Sequence, residues 1–123
     1  MDETIVKLDP GFSVADAGPP RLLFDANDLT ACFRDWRGQE IELRFPECYG
    51  VRWQAEICLA PQERCDAVYE IRGSAWLELH RRQGALEPHE PQRHFKLNFN
   101  AWGQLEVLAE DMLLLRRTPE TED

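Results

Sequence analysis

Three histidines and four cysteines are the strongest metal ligands and nucleophiles in this chain of 123 residues. The cysteines are Cys32, Cys48, Cys58 and Cys65. No two have the CxxC spacing of a zinc ribbon or a thioredoxin-like site. His80, His89 and His94 lie close in sequence. A zincin motif needs two histidines on one helix, and Pro91 prevents His89 and His94 from lying on the same helix. Convergence of these histidines with one cysteine at a metal stays an alternative, while no metal or cofactor is predicted.

Serine and phosphate chemistry have little support. The segment around Ser74, RGSAW, has Trp76 where a nucleophile elbow needs glycine, so Ser74 is better explained as a helix N-cap. The seven glycines are isolated, which excludes a phosphate-binding glycine loop. The carboxylates fall in turns and not in apolar segments, so no acid–base pair is predicted. Enzymatic activity is therefore not expected.

Two turns contain tryptophan. Trp36 lies in the sequence DWRG and Trp102 in NAWG. Tryptophan and arginine are enriched among the residues that dominate binding energies. If both turns project from one end of the fold, Trp36, Arg37 and Trp102 form a binding patch. The alternative is that each indole closes one end of the core. Trp53 and Trp76 fit core positions.

The charge balance narrows the classes of partner. With 14 basic and 23 acidic residues the formal net charge is −9, and the pI is about 4.8. Nucleic acids and anionic membrane surfaces both require a basic surface, so neither is an expected partner. No apolar run approaches the ~20 residues of a membrane span, and the N-terminus lacks the pattern of a signal peptide. A cytoplasmic location follows as a prediction.

The elements that must position these residues are mostly strands. Alternating apolar and polar residues predict strands over 29–34, 41–45, 51–59, 66–72, 95–99 and 105–109. The continuous apolar run 112–115 predicts a last strand that is buried on both faces or lies near a sheet edge. Ser74 and Gly84 bound one short helix at about 74–83, with Trp76, Leu79 and His80 on one face. The predicted fold is mainly β (α+β): an antiparallel β-sandwich or strongly curved sheet of about seven or eight strands with one helix.

The ends of the chain differ from the middle. Residues 1–20 are predicted to be an N-terminal arm or linker, with a strand or helical turn near its start, because Gly, Pro and Asp follow without periodicity. Residues 21–117 form a single β-rich domain, and 118–123 are an acidic tail. Most of the net charge lies in the two ends.

Two functions remain open. The first is a non-enzymatic protein–protein interaction module, for example an inhibitor- or immunity-like protein with a basic protein partner. In general character the chain is similar to small acidic β-rich bacterial proteins, among them some immunity proteins of toxin systems. The alternative is a small-molecule-binding domain with a pocket between curved sheet and helix. Pairing of strand 112–115 across a sheet edge would give a homodimer.

Overall fold

Alternating apolar and polar residues form two antiparallel sheets in the computed structural model, which describes residues 3–84 and 91–118. The elements of these ranges are β1 (Thr4–Lys7), β2 (Arg21–Asp25), β3 (Asp28–Arg34), β4 (Glu40–Phe45), β5 (Gly50–Gln54), β6 (Val68–Arg72), α1 (Ala75–Arg82), β7 (Arg93–Phe99), β8 (Gly103–Ala109) and β9 (Leu113–Arg117). A five-stranded sheet has the order β1-β6-β7-β8-β5, and a four-stranded sheet has the order β2-β3-β4-β9.

The core lies between the two sheets. Apolar side chains of β3 and β4 meet those of β7 and β8, and aromatic rings cross the interface in two places: Phe33 lies 5.1 Å from Phe99, and Phe45 lies 5.9 Å from Phe95, between ring centroids. Contacts between inward faces of two sheets define a sandwich. The prediction of a mainly β antiparallel fold with one helix is confirmed.

The described part of the N-terminal segment packs on this sandwich. Strand β1 pairs with β6, so it forms one edge of the five-stranded sheet. Further along, Val14 and Ala17 are buried in the main core. Residues 3–20, which the sequence describes as an arm or linker, therefore contribute a strand and two core side chains.

Two strands differ from the sequence-based prediction. The strand predicted over 51–59 ends at Gln54, and the loop 55–67 that follows lies on the outer face of the five-stranded sheet, where Glu63 contacts Lys96 and Asn98. Strand β2, which was not predicted, pairs with β3 through a tight turn at Ala26 and Asn27. Strand β9 lies at the edge of the four-stranded sheet, and its three leucines are exposed.

Helix α1 follows the prediction at its N-terminus and differs in its buried face. The hydroxyl of Ser74 accepts a hydrogen bond from the backbone N–H of Leu77, as expected for an N-cap. Leu77, and not Leu79, is the buried leucine. It contacts Leu108 on the outer face of β8, with Trp76 beside it. The helix is thereby seated on the face of the sheet opposite the core. Among the described residues no helix has the length and apolar character needed to cross a membrane.

Gly103, the first residue of β8, packs closely against the end of β5. A Cβ atom there would lie 2.5 Å from the carbonyl oxygen of Gln54 and 2.7 Å from the ring of Trp53. We expect Gly103→Ala to lower the free energy of unfolding by about 2–3 kcal/mol, because backbone cannot yield as a flexible side chain does. Urea unfolding measures this loss.

Gly38, in the turn between β3 and β4, provides the matched control. It has a positive φ of 81°, but a Cβ atom there would meet nothing within 4 Å. Gly38→Ala should cost about 1 kcal/mol from backbone strain alone. Equal losses in the two variants would contradict the close packing at Gly103.

Candidate functional site

The turns that carry Trp36 and Trp102 lie at the same end of the sandwich. Phe33 and Phe99, the inward-facing aromatic residues nearest to the two turns, contact each other edge to face. Trp36, Arg37 and Trp102 are thus placed at one end, which we call the tryptophan end.

Residues 16–18 tie the two turns together. The backbone N–H of Gly18 donates to the carbonyl oxygen of Arg34 at 2.8 Å, beside the first turn. The indole N–H of Trp102 donates to the carbonyl oxygen of Ala17 at 3.1 Å. Asp16 and Asn100 exchange two further hydrogen bonds. The tryptophan end is therefore fixed by several contacts distant in sequence.

The indoles at this end are half exposed. Trp36 is 58% exposed and Trp102 is 49% exposed, and the guanidinium of Arg37 stacks over the Trp36 ring at 4.6 Å. Trp53, predicted to be a core residue, is 43% exposed. That prediction was wrong because β5 is an edge strand, so the Trp53 ring packs at the margin of the core against Phe99 and Gly103.

A second feature was not predicted: a buried layer of polar side chains on the outer face of the five-stranded sheet. Helix α1 and loop 55–67 cover this face, which a two-layer sandwich would leave in water. We call this set the polar layer: Arg52, Glu63, Ser74, His94, Lys96, Asn98, Gln104 and Glu106. All except Arg52 are buried.

One half of the polar layer is a chain of hydrogen bonds below α1. Ser74 Oγ lies 2.7 Å from Nδ1 of His94, and Nε2 of His94 lies 2.8 Å from Oε1 of Glu106. Glu106 also accepts from the guanidinium of Arg52. Trp76 packs against this chain of hydrogen bonds, because its ring centroid lies 5.2 Å from that of His94 and 4.0 Å from the guanidinium carbon of Arg52.

The order serine, histidine, carboxylate is that of a hydrolase triad, but the geometry favours a positioning role. With its proton on Nε2, His94 donates to Glu106 and accepts from the Ser74 hydroxyl at Nδ1. The same hydroxyl caps α1 by accepting from Leu77, and Ser74 is only 5% exposed. A nucleophile must reach a substrate carbonyl, whereas this oxygen joins the helix to the sheet.

The other half of the polar layer holds loop 55–67. The carboxylate of Glu63 accepts from the ammonium of Lys96 at 2.9 Å and from the amide of Asn98 at 2.8 Å. It also accepts from the backbone N–H of Ala60 within the loop. The sequence analysis placed carboxylates in solvated turns. Glu63 and Glu106 correct that view, because both are buried and their oxygens are paired.

The ionised state of Glu106 stabilises the fold. Burial raises the pKa of this carboxyl, but the hydrogen bond from His94 and the charge of Arg52 outweigh it, so the pKa lies below its ordinary value. A lowered pKa in the folded state means that the carboxylate stabilises the protein above the ordinary pKa. This contribution is lost as the pH falls through the folded pKa.

We expect Glu106→Gln to lower the free energy of unfolding by about 1–3 kcal/mol at neutral pH, since charge-assisted hydrogen bonds are lost. The difference from the wild type should shrink as the pH falls below the ordinary pKa of a glutamate, and it should disappear once the pH has passed the lowered pKa of Glu106 in the folded protein. Urea unfolding across a pH series measures it. Glu40→Gln is the control, because Glu40 pairs with Arg34 in solvent and should matter far less. A gap that is independent of pH would contradict the assignment.

The alternative of a metal site involves His80, His89 and His94 with one cysteine. His89 lies outside the described residues. His94 bonds to Ser74 and Glu106, and His80 stacks beside Trp76 at 6.0 Å. In the ranges 3–84 and 91–118 no three His, Cys, Asp or Glu side chains are placed to hold a metal ion.

The four cysteines are all free and differ in accessibility. Cys58 and Cys65 are exposed, whereas burial raises the pKa of the Cys32 and Cys48 thiols. Because the thiolate is the reactive form, we expect two thiols to react quickly with a disulfide reagent and two slowly. Mass spectrometry of partly modified protein identifies them. Rapid modification of Cys48 would contradict the burial of that residue.

An open cleft borders the polar layer. It lies between α1 and the ends of β6 and β7, and its volume is about 700 Å³. Ser74 and Leu77 form part of its wall on the helix side, and Arg72 and Arg93 on the sheet side.

Comparison of the chain with protein-family models, curated proteins and solved structures finds no match.

Proposed function

We propose that this chain is a protein–protein interaction module that binds its partner through the tryptophan end. The observation that carries the proposal is that Trp36 and Trp102, from hairpins of different sheets, are half exposed at the same end. Tryptophan and arginine supply most hot-spot energy when a partner removes them from water. Trp36, Arg37 and Trp102 together offer this chemistry.

The rigidity of the tryptophan end supports binding without reorganisation. Residues 16–18 hydrogen-bond to both turns, and Arg37 stacks on Trp36. Side chains already ordered in the free protein lose less entropy when they are covered. A partner would therefore meet a surface close to its bound form.

The charge of the chain points to a basic protein as partner. A net charge of −9 attracts a positively charged protein and speeds its association at low salt. The same charge disfavours nucleic acid and anionic membrane as partners. An inhibitor or immunity-like protein that neutralises a basic enzyme is one example of this class.

The test is affinity capture from the source cells at low salt, with the full chain as bait, followed by binding measurements on the purified partner. We expect a basic partner, and we expect Trp36→Ala with Trp102→Ala to weaken binding by roughly 30-fold or more. Surface plasmon resonance gives both the affinity and the salt dependence of the association rate.

The matched control is Leu23→Ala with Phe24→Ala. Both residues are exposed apolar side chains on β2, toward the opposite end of the sandwich. This variant should bind like the wild type. An equal loss in both double variants, or full affinity without the two tryptophans, would reject the tryptophan end as the binding surface.

A second candidate function is the binding of a small molecule in the cleft between α1 and the five-stranded sheet. Its volume of about 700 Å³ falls within the range of ligand sites. The observation that favours this candidate is the position of the cleft, which lies between sheet and helix and borders a layer of ordered polar groups.

A further inference from the structure

We propose that the cleft between α1 and the ends of β6 and β7 binds a small organic anion that carries carboxylate or phosphate groups. This inference rests on the second function proposed above and names its class of ligand. It is independent of the tryptophan end.

The described lining of the cleft is rich in arginine in an otherwise acidic protein. Four arginines line it against two glutamates, Glu70 and Glu78, a formal excess of two positive charges before the contacts of Glu3 with Ala75 and of Asp111 with Arg93 are counted. The lining arginines are Arg72, Arg81, Arg82 and Arg93. A concave surface on which guanidinium groups outnumber carboxylates attracts anionic ligands.

The arginines divide into fixed and available groups. Arg93 is held by Glu70 at 2.9 Å and by Asp111 at 3.0 Å, so it forms a rigid wall. Arg72 lies across from it, 4.0 Å from the same Glu70, with its side chain largely exposed. Arg82 is exposed in the last turn of α1. Planar guanidinium groups bind carboxylate and phosphate in pairs of parallel hydrogen bonds.

The helix end of the cleft already binds one carboxylate. Glu3 Oε2 accepts from the backbone N–H of Ala75 at 2.8 Å, at the first residue of α1. The partial positive charge of a helix N-terminus favours an anion there. Glu3 shows that a carboxylate fits this position, and it is a competitor that an incoming anion would meet.

A buried acceptor in the cleft wall also lacks a partner. Gln92 is 7% exposed, and its side-chain amide donates to the carbonyl oxygen of Glu47. Its Oε1 has no hydrogen-bond partner within the described ranges. This oxygen is shielded from the cleft, so only a movement of the Gln92 side chain would bring it into contact with a ligand.

The experiment is an NMR titration of the full chain with citrate and with inorganic phosphate at constant ionic strength. We expect saturable shifts of the amide signals of Arg72, Ser74 and Gln92. Arg72→Gln with Arg82→Gln should weaken binding about tenfold or more. Glu3→Gln should strengthen it, because the competing charge is removed. Unchanged or weaker binding in Glu3→Gln would remove the helix N-terminus from the site.

The control is Arg34→Gln with Arg116→Gln, which removes the same charge from the four-stranded sheet. It should leave binding unchanged. Equal weakening by both double variants would overturn the proposal, since attraction would then be non-specific. A second NMR titration with a library of neutral and cationic fragments distinguishes the anionic class of the ligand from the more general proposal that the cleft binds a small molecule. Cleft shifts from that library without anion binding would overturn the ligand class and keep the second function, and no cleft shift with any compound would overturn both.

Discussion

The outer face of the five-stranded sheet depends on the pairing of two buried carboxylates. Glu63 and Glu106 can lie out of water only because Lys96, Asn98 and His94 satisfy their oxygens. Each pairing joins the sheet to a segment that lies over it. Glu63 belongs to loop 55–67 and binds Lys96 and Asn98 of β7. His94 of β7 is hydrogen-bonded to Ser74, the N-cap of α1. The cleft forms where α1 is held against β6 and β7. A small β-sandwich thereby acquires a third layer that is held by these polar contacts together with the apolar contact of Leu77 with Leu108.

The two ends of this arrangement suit different tasks. At the tryptophan end, apolar surface is left uncovered on turns fixed by residues 16–18. At the cleft, arginine side chains stay exposed to solvent beside α1, which the polar layer holds in place. The net charge of −9 therefore coexists with a local concentration of arginines. Much of that negative charge also belongs to segments near the chain ends, and Glu3 among them is engaged at α1.

Local patterns predicted the mainly β fold, most strands and the cap of α1, because each is decided by neighbours in sequence. They missed the polar layer for a physical reason. Lys96, Asn98 and Glu106 alternate with core residues, which is the pattern of strands with one solvated face. Only a distant segment, loop 55–67, makes that face an interior. Trp53 was misassigned for the converse reason: its alternation fits a core, but the edge position of β5 exposes it. The shared end of Trp36 and Trp102 likewise depends on how the sheets stack.

The most direct test of the central claim, that buried ion pairing fixes the covers, is native-state hydrogen exchange in Lys96→Met. This change keeps the volume and leaves Glu63 without its cation. The account predicts that the amides of Ala60, Glu63 and Arg64 exchange about 100-fold faster, as the loop opens to hydrate the carboxylate. The amides shared by β3 and β4 should keep their protection. Unchanged protection of the loop, or an equal loss across both sheets, would contradict the claim.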